Sequence, residues 1–441
     1  MPRLVARRWS PTELDRLLPR ADRGPFGYEA FVPDRLVDLR WTLPLDLAEA
    51  LSTTERRVRE LNHSSRHLAS LEALSRLLLR SESISSSRIE GLQVGNRRLA
   101  EALFDPEHSG GVERSVAANV LALTRAIEFG ATAAALTVGD VLEIHHVLIH
   151  GDEPGIAGRL RTEQNWIGGA TPRTAEFIPP PEDEVPPLLE DLVAYCNRDD
   201  IPPLVQAAIA HAQFETIHPF ADGNGRVGRC LIHALLRRRG VVEHYVPPIS
   251  VVLATNGRAY VEGLTDFRRG DIEAWCSLFG SATRSAVDGA VRLFDALDEL
   301  ENEWLERAGR PRQGSSARRL IQQLPGVPIL DVATAAEILG VSFPAANQAV
   351  ARLASAGVLR PVREQARRSR RWVAADVVGL LDGFEWHMAT PDEAIDHVTG
   401  RRPSPSPTFR SRERLRRPRT TGAEETPGSG EAEQEHPGAR L

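Results

Sequence analysis

The chain has 441 residues, 41% of them hydrophobic, and a formal net charge of −6. At roughly 150 residues per domain that gives room for about three domains with real cores, and it does not suggest a polyanion binder along the whole length. All 54 basic residues are arginine and none is lysine, which suits phosphate recognition and a GC-rich genome alike, and which excludes P-loop and kinase-type chemistry because both need an active-site lysine.

Cys196, Cys230 and Cys276 stand apart, with neither metal-ligand nor disulfide spacing. No apolar run reaches the roughly 18 residues of a membrane span, and the N-terminus lacks the core of a signal peptide. A cytoplasmic protein with no membrane partner is therefore expected.

The first 60 residues open on loop-like sequence, Gly24 to Tyr28 and Ala30 to Pro33, before Pro44 to Leu61 turns helical. Leu68, Leu71, Leu74 and Leu78 then recur at helical spacing. The serine-rich stretch from Ser81 to Gly91 is expected to break or cap that helix, since serine suits caps better than helix interiors. Helices are expected over 113–130 and 138–149, the second capped at Thr137. After a Gly/Pro-rich segment, 151–158, two short apolar runs, Asn165 to Gly169 and Glu176 to Pro181, predict a small hairpin that the prolines stop from growing.

Helices follow over 184–196, 203–216, 226–239 (closed by Gly240), 257–267 and 271–306. Residues 307–314 look like a linker. Ser315 or Ser316 can cap a helix to Leu324, Asp331 a second to Leu339, and a third spans 344–356. Two short apolar segments then bracket an Arg-rich turn, which is the element order of a winged helix-turn-helix. From residue 389 the chain is Pro/Ser/Arg-rich and then Glu/Gly-rich, and a disordered tail is expected. The fold expected is all-α with one inserted hairpin, divided as 1–111, 112–306, 312–388 and a tail, 389–441.

The densest chemistry lies in His218-Pro-Phe-Ala-Asp-Gly-Asn-Gly-Arg-Val-Gly-Arg229. Pro219 bars His218 from helical geometry, so His218 sits at a helix exit, with an ordinary pKa that lets it accept a proton at neutral pH. Gly223 and Gly225 allow a backbone nest for an anion, and the next helix, from about Arg226, adds its positive end. Arg226 and Arg229 share a face of that helix. Asp222 can hold Mg²⁺, which prefers one or two carboxylates plus phosphate oxygens. A base beside a metal–phosphate clamp fits phosphoryl or nucleotidyl transfer. The GxGxxG in Gly223 to Gly228 follows a helix and not a strand, which rejects a dinucleotide fold. A chemically idle turn would have no need of His218, Arg226 and Arg229 together.

This stretch resembles the Fic family signature, H-x-F-x-D/E-G-N-G-R-x-x-R, at every defined position, with similarity extending over roughly residues 20 to 290. The resemblance implies a protein adenylyltransferase that moves AMP from Mg·ATP to a Ser, Thr or Tyr hydroxyl of a target protein, or of itself. By motif position it implies that His218 deprotonates the hydroxyl and that Asp222 holds Mg²⁺ between the α- and β-phosphates. Gly223, Asn224 and Gly225 would form the anion hole, Arg226 would contact the phosphates, and Arg229 would bind the γ-phosphate. The kinase-like branch resembling Doc carries Lys at the Gly225 position, so Gly225 favours AMP transfer.

Ser86-Ser-Arg-Ile-Glu90-Gly91 looks like the family's inhibitory motif, in which Glu90 would pair with Arg229 and displace the γ-phosphate. Ile167, Gly168, Phe177 and Ile178 resemble the flap that clamps an extended target segment by strand addition. Tyr260 stands where the family has tyrosines near the nucleotide, but its neighbour is Ala259. Relatives often form homodimers. His145, His146 and His150 lack partners at metal-ligand spacing and fit core or surface roles, and His211 and His233 fit packing.

In the C-terminal part, Arg360, Arg363, Arg367, Arg368, Arg370 and Arg371 crowd the wing, opposed by Glu364. A cationic wing suits a DNA backbone, as Arg401 to Arg419 of the tail would. The recognition-helix position offers only Asn347, Gln348 and Arg352 for base contacts. DNA binding by a regulator with a nucleotide-sensing core, and contact with protein, both remain open, as does AMP removal with Glu90 positioning a water.

Overall fold

In a computed structural model, the residues described are 2–10, 23–40, 42–63, 68–132, 135–362 and 370–389. The wing residues Arg363, Glu364, Arg367 and Arg368 and the tail from residue 390 lie outside them. Two strands come first, β1 (Arg3–Trp9) and β2 (Phe26–Val32), paired antiparallel from Arg3 opposite Val32 to Trp9 opposite Phe26. This corrects the loop-like reading of the opening residues. Phe26, Tyr28, Ala30 and Val32 alternate inward, a strand period masked in the sequence by the flanking glycines and prolines.

Helix α1 (Leu45–His63) falls where its apolar period places it. Helix α2 (Leu68–Ile89) does not break at the serines; it runs through them. Ser81, Ser83, Ser85, Ser86 and Ser87 are all buried. Serine is only weakly unfavourable in a helix, and packing overrides it. Asn119 donates to the Ser83 carbonyl at 3.0 Å and to Ser87 Oγ at 3.2 Å. The break comes at Gly91, φ +80, where the Gly91 N–H bonds to the Arg88 carbonyl and the Leu92 N–H to that of Ser87. That pair of bonds is a Schellman stop, and it makes Glu90 the C-cap, one residue past the end of the helix at Ile89.

Helix α3 (Asn96–Phe104) was not evident in the sequence. Helix α4 (Gly111–Thr132) is followed by α5 (Val138–Ile149), opened by a reciprocal Thr137–Asp140 capping box. Then come α6 (Val185–Cys196), α7 (Pro203–Ile217), α8 (Asn224–Arg238), α9 (Ile249–Thr255), α10 (Gly257–Arg268) and the 36-residue α11 (Ile272–Arg307). The C-terminal part has α12 (Ser316–Gln323), β3 (Ile329–Leu330), α13 (Val332–Leu339), α14 (Phe343–Ser355), β4 (Arg360–Pro361), β5 (Trp372–Val373) and α15 (Ala375–Ala389), with strand order β3-β5-β4. Ser315 and Asp331 cap α12 and α13.

Helix α7 is buried from Leu204 to Ile217 and α8 from Asn224 to Leu236, so these two form the centre of the molecule and the others wrap them. One hydrophobic cluster continues from Val32 to Met388, so the C-terminal elements share the core and do not hang from residues 307–314. Among the described residues no helix is long and apolar enough to cross a membrane.

Candidate functional site

Helix α7 ends where the sequence stops it. His218 adopts left-handed geometry, φ 50 and ψ 62, and its N–H closes on the Phe214 carbonyl. The loop that follows is stapled by Asn224, whose side-chain oxygen accepts from Phe220 N–H and whose amide donates to the Phe220 carbonyl, both at 2.8 Å. Its side chain is thus spent on shape, and its backbone is left for a ligand. Gly223, φ +80, lies against Ile149 and Leu148, so a side chain there would meet both strain and a wall. Helix α8 begins at Asn224, two residues earlier than expected, which brings the helix N-terminus directly under the Gly-Asn-Gly turn.

His145 proves more than packing. It lies flat on Phe220 at 3.8 Å, accepts from Gly158 N–H at Nδ1 and donates from Nε2 to the Asp222 carbonyl. Burial pushes its pKa down to about 4, which keeps the neutral tautomer that those two bonds require. The Asp222 carboxylate accepts the Gly223 N–H and lies 3.8 Å from Arg226, with about 30% of the side chain open.

The two motif arginines leave α8 toward different helices. Arg226 donates to Ser115 Oγ of α4 at 3.0 Å. Arg229, 1% exposed, reaches α2: it donates to Ser86 Oγ and to the Ser86 carbonyl, both at 2.8 Å, and to Glu90 Oε1 at 2.7 Å. Burial lowers its pKa, but Glu90, Tyr260 and Glu215 together more than offset that, and the net shift is upward. A Cβ on Gly225 would collide with that same Glu90 oxygen, so the glutamate carboxylate sits over the Gly225 backbone. Gly91 supplies the turn that delivers it.

Tyr260 is buried under this pair and not presented to an open face; its hydroxyl bonds His211 Nε2 at 2.8 Å and lies against Arg229. His211 is held at about 3 by burial and Arg229. Nearby Glu215 is pushed up to about 7 by burial, against the pull of Arg229.

His218 is partly buried, and its Nδ1 has no hydrogen-bond partner. Burial, then Arg161 and Arg268, push it down to about 3, so the imidazole is neutral at physiological pH. Arg161 donates from Nε to the His218 carbonyl at 2.9 Å. Gln164 bonds the Pro179 carbonyl at 2.9 Å, and Asn165 the Phe220 carbonyl at 3.2 Å. These three residues were missed in the sequence, where only their place after a Gly-rich segment marks them.

The expected hairpin is a single antiparallel bridge, Ile167 to Phe177, turned by Gly168 at φ +73. It is tied to β2 by one backbone bond, Phe31 N–H donating to the Ile178 carbonyl at 3.0 Å, and the Phe31 and Phe177 rings lie 5.8 Å apart. Arg268 sits over the Phe177 ring at 3.8 Å.

A neutral imidazole, a Gly-Asn-Gly turn at a helix N-terminus and a buried arginine already holding a carboxylate lie together on a helix–loop–helix scaffold, an arrangement chemically able to take up phosphate. Residues 135–236 match the model of the Fic/DOC family, and residues 48–132 that of the Fic/DOC family N-terminal region. Over these two stretches the chain resembles the Fic/DOC family.

It is similar to protein adenylyltransferase fic-1 of Caenorhabditis elegans, 33% identical over 140 residues, which are 30% of this chain and 25% of that protein. It is also similar to protein adenylyltransferase Fic of Nematostella vectensis, 28% identical over 163 residues, 35% of this chain and 34% of that one. The matches thus span about a quarter to a third of these relatives' length. Among solved structures, a Fic family protein from Desulfovibrio desulfuricans G20 aligns at a TM-score of 0.48 and 23% identity, over 76% of this chain and 97% of that one.

Proposed function

We propose that this chain is a protein adenylyltransferase held back by its own Glu90. The observation that carries the reading is the 2.7 Å Glu90–Arg229 pair seated over Gly225, a carboxylate standing where the nest and the arginine would receive a phosphate. With ATP bound, Arg229 would take the γ-phosphate and the Gly223–Gly225 backbone the phosphates beside it. His218 would take the proton from the target hydroxyl; the hydroxyl oxygen would bond to the α-phosphorus as the bond to the β-phosphate oxygen breaks and pyrophosphate leaves.

Asp222 fits Mg²⁺, being a hard, partly open oxygen donor beside the nest. Among the described residues no group of three or more metal-ligating side chains exists, so phosphate oxygens and water would complete the shell. The ion would neutralise charge on the phosphates. Protein targets are expected on the strength of the relatives' names.

The test is transfer of labelled AMP by the full chain. His218→Ala is expected to abolish it. Glu90→Gly is expected to raise ATP affinity about 10- to 100-fold, since a charge-assisted competitor of about 1.5–3 kcal/mol is removed. An unchanged Glu90→Gly rate sinks the autoinhibition, and transfer surviving His218→Ala sinks the mechanism. AMP removal is the other use of the same geometry, and incubation with an AMP-modified protein separates the two.

For the C-terminal part we retain the winged helix-turn-helix reading. A DNA role draws little support from the described residues: Arg352 is bound to the Ala308 carbonyl, Arg360 faces Asp376, Arg370 covers Trp372 and Arg371 pairs with Asp105. Salt-sensitive affinity of the full chain for duplex DNA would revive it.

A further inference from the structure

Arg161 lies in the segment after α5, outside both the loop motif and α2 in sequence, and is 6% exposed. Its Nε donates to the His218 carbonyl at 2.9 Å, one terminal nitrogen donates to the Glu163 carbonyl at 3.0 Å, and the other to the Pro180 carbonyl. Its own N–H donates to the Pro219 carbonyl at 3.0 Å. Every acceptor is backbone. One fork thus grips the chain on both sides of the site, at the exit of α7 and at the exit of the flap. His218 needs such a grip, because it is one of only two non-glycine residues at positive φ among those described.

We propose that Arg161 is a positioning residue of the transfer centre, a strut that holds the His218 backbone and the Pro180 end of the flap in one register. The proposal rests on the transferase reading above for its role in catalysis, and on geometry alone for the strut. A target segment docked on the flap would then be placed against the base without further adjustment, because both ends of the path are fixed by one planar group. The cation also bears on the imidazole. Besides burial, the groups facing His218 are Arg161, Arg268 of α10 and Asp222 of the loop; the two arginines disfavour its protonation and Asp222 favours it. Removing Arg161 removes the larger of the two cationic influences.

The test uses the full chain with Glu90→Gly as the parent, and adds Arg161→Gln or Arg161→Lys. Without nucleotide or metal, the His218 ring is titrated by NMR, assigned by its loss in His218→Ala. Hydrogen exchange is followed at the Ile167 and Phe177 amides. The parent is expected to show no protonation of His218 down to about pH 5. Arg161→Gln should raise the midpoint, so that His218 begins to protonate above the pH at which the parent does, and should speed flap exchange about tenfold or more, with the amides of α8 unchanged. Arg161→Lys keeps the charge and loses the fork, so it should loosen the flap with the midpoint near the parent's. In AMP transfer, the acid limb of the Arg161→Gln rate profile should move up with the midpoint, and affinity for an ATP analogue should hold. An unmoved midpoint or unmoved flap exchange in Arg161→Gln overturns the proposal, whatever happens to the melting temperature. If that variant does not fold, flap exchange in Arg161→Lys decides. A chain that shows both shifts but transfers no AMP sinks the transferase reading and leaves the strut standing.

Discussion

His145, His211 and His218 surround the loop, and burial holds each of them neutral well below the ordinary histidine pKa, at about 4, 3 and 3. An unfolded chain would protonate all three through about pH 6.5. Their contribution to stability is therefore complete above that pH and is lost as pH falls toward the folded values. Glu215 acts in the opposite sense: burial raises it to about 7, so the folded chain binds its proton before the unfolded chain does. Three groups outweigh one, and stability should fall on acidification between about pH 6.5 and 5, on the order of 2 kcal/mol per pH unit. Denaturant melts at pH 7.5 and 5.5 check this, and a flat profile would contradict it.

At this scale the motif residues were legible because loop chemistry is local: His218, Asp222, Gly223 and Gly225 announce a helix exit, a carboxylate and a nest in a few letters. Arg161 and His145 were not, because their role lies in which distant carbonyl they meet. The sequence expectation that His218 sits beside an exposed loop also understated its burial.

At the scale of elements, α2 is what the proposed autoinhibition turns on. Its serines were read as a break because serine competes for backbone bonds in isolation. In the folded chain their small volume lets α2 lie close to α4, α8 and α9, and Glu82 anchors it with bonds to Ser250 N–H at 2.8 Å and His233 Nε2 at 3.0 Å. Propensity is local and packing is not, so that outcome was closed to sequence reasoning; the Gly91 stop, which is local, was not. Ser85→Leu should overpack this seam and cost about 1–3 kcal/mol. Because the strain falls one turn before Glu90, AMP transfer should rise in the same variant. A destabilised Ser85→Leu with transfer unchanged would mean that the seam and the Glu90 turn are independent.

For the molecule as a whole, the C-terminal elements press on that same helix. Arg88, two residues before Glu90, donates to Glu385 of α15 at 2.7 Å, and Asn96 bonds both Asp382 and Glu385. Arg80 of α2 donates to the Gly326 carbonyl at 2.7 Å. The end of α2 is therefore clamped by residues about 300 positions away in sequence, and on the proposed autoinhibited reading release of the clamp should reach the nucleotide site. The two halves of the pair are not equivalent. Glu385 is buried and Arg88 is 40% exposed, so Glu385→Ala leaves a cation that water can solvate, whereas Arg88→Ala leaves a buried acid whose pKa burial already raises. Glu385→Ala should cost about 1–3 kcal/mol through the lost charge-assisted bonds, and Arg88→Ala should be destabilising in a pH-dependent way, milder in acid where Glu385 is protonated. Both should raise AMP transfer above that of the native chain but below that of Glu90→Gly, because they loosen the glutamate without removing it. In the Glu90→Gly background neither should change transfer further. Additive gains there would show that α15 acts on the site by a route other than Glu90.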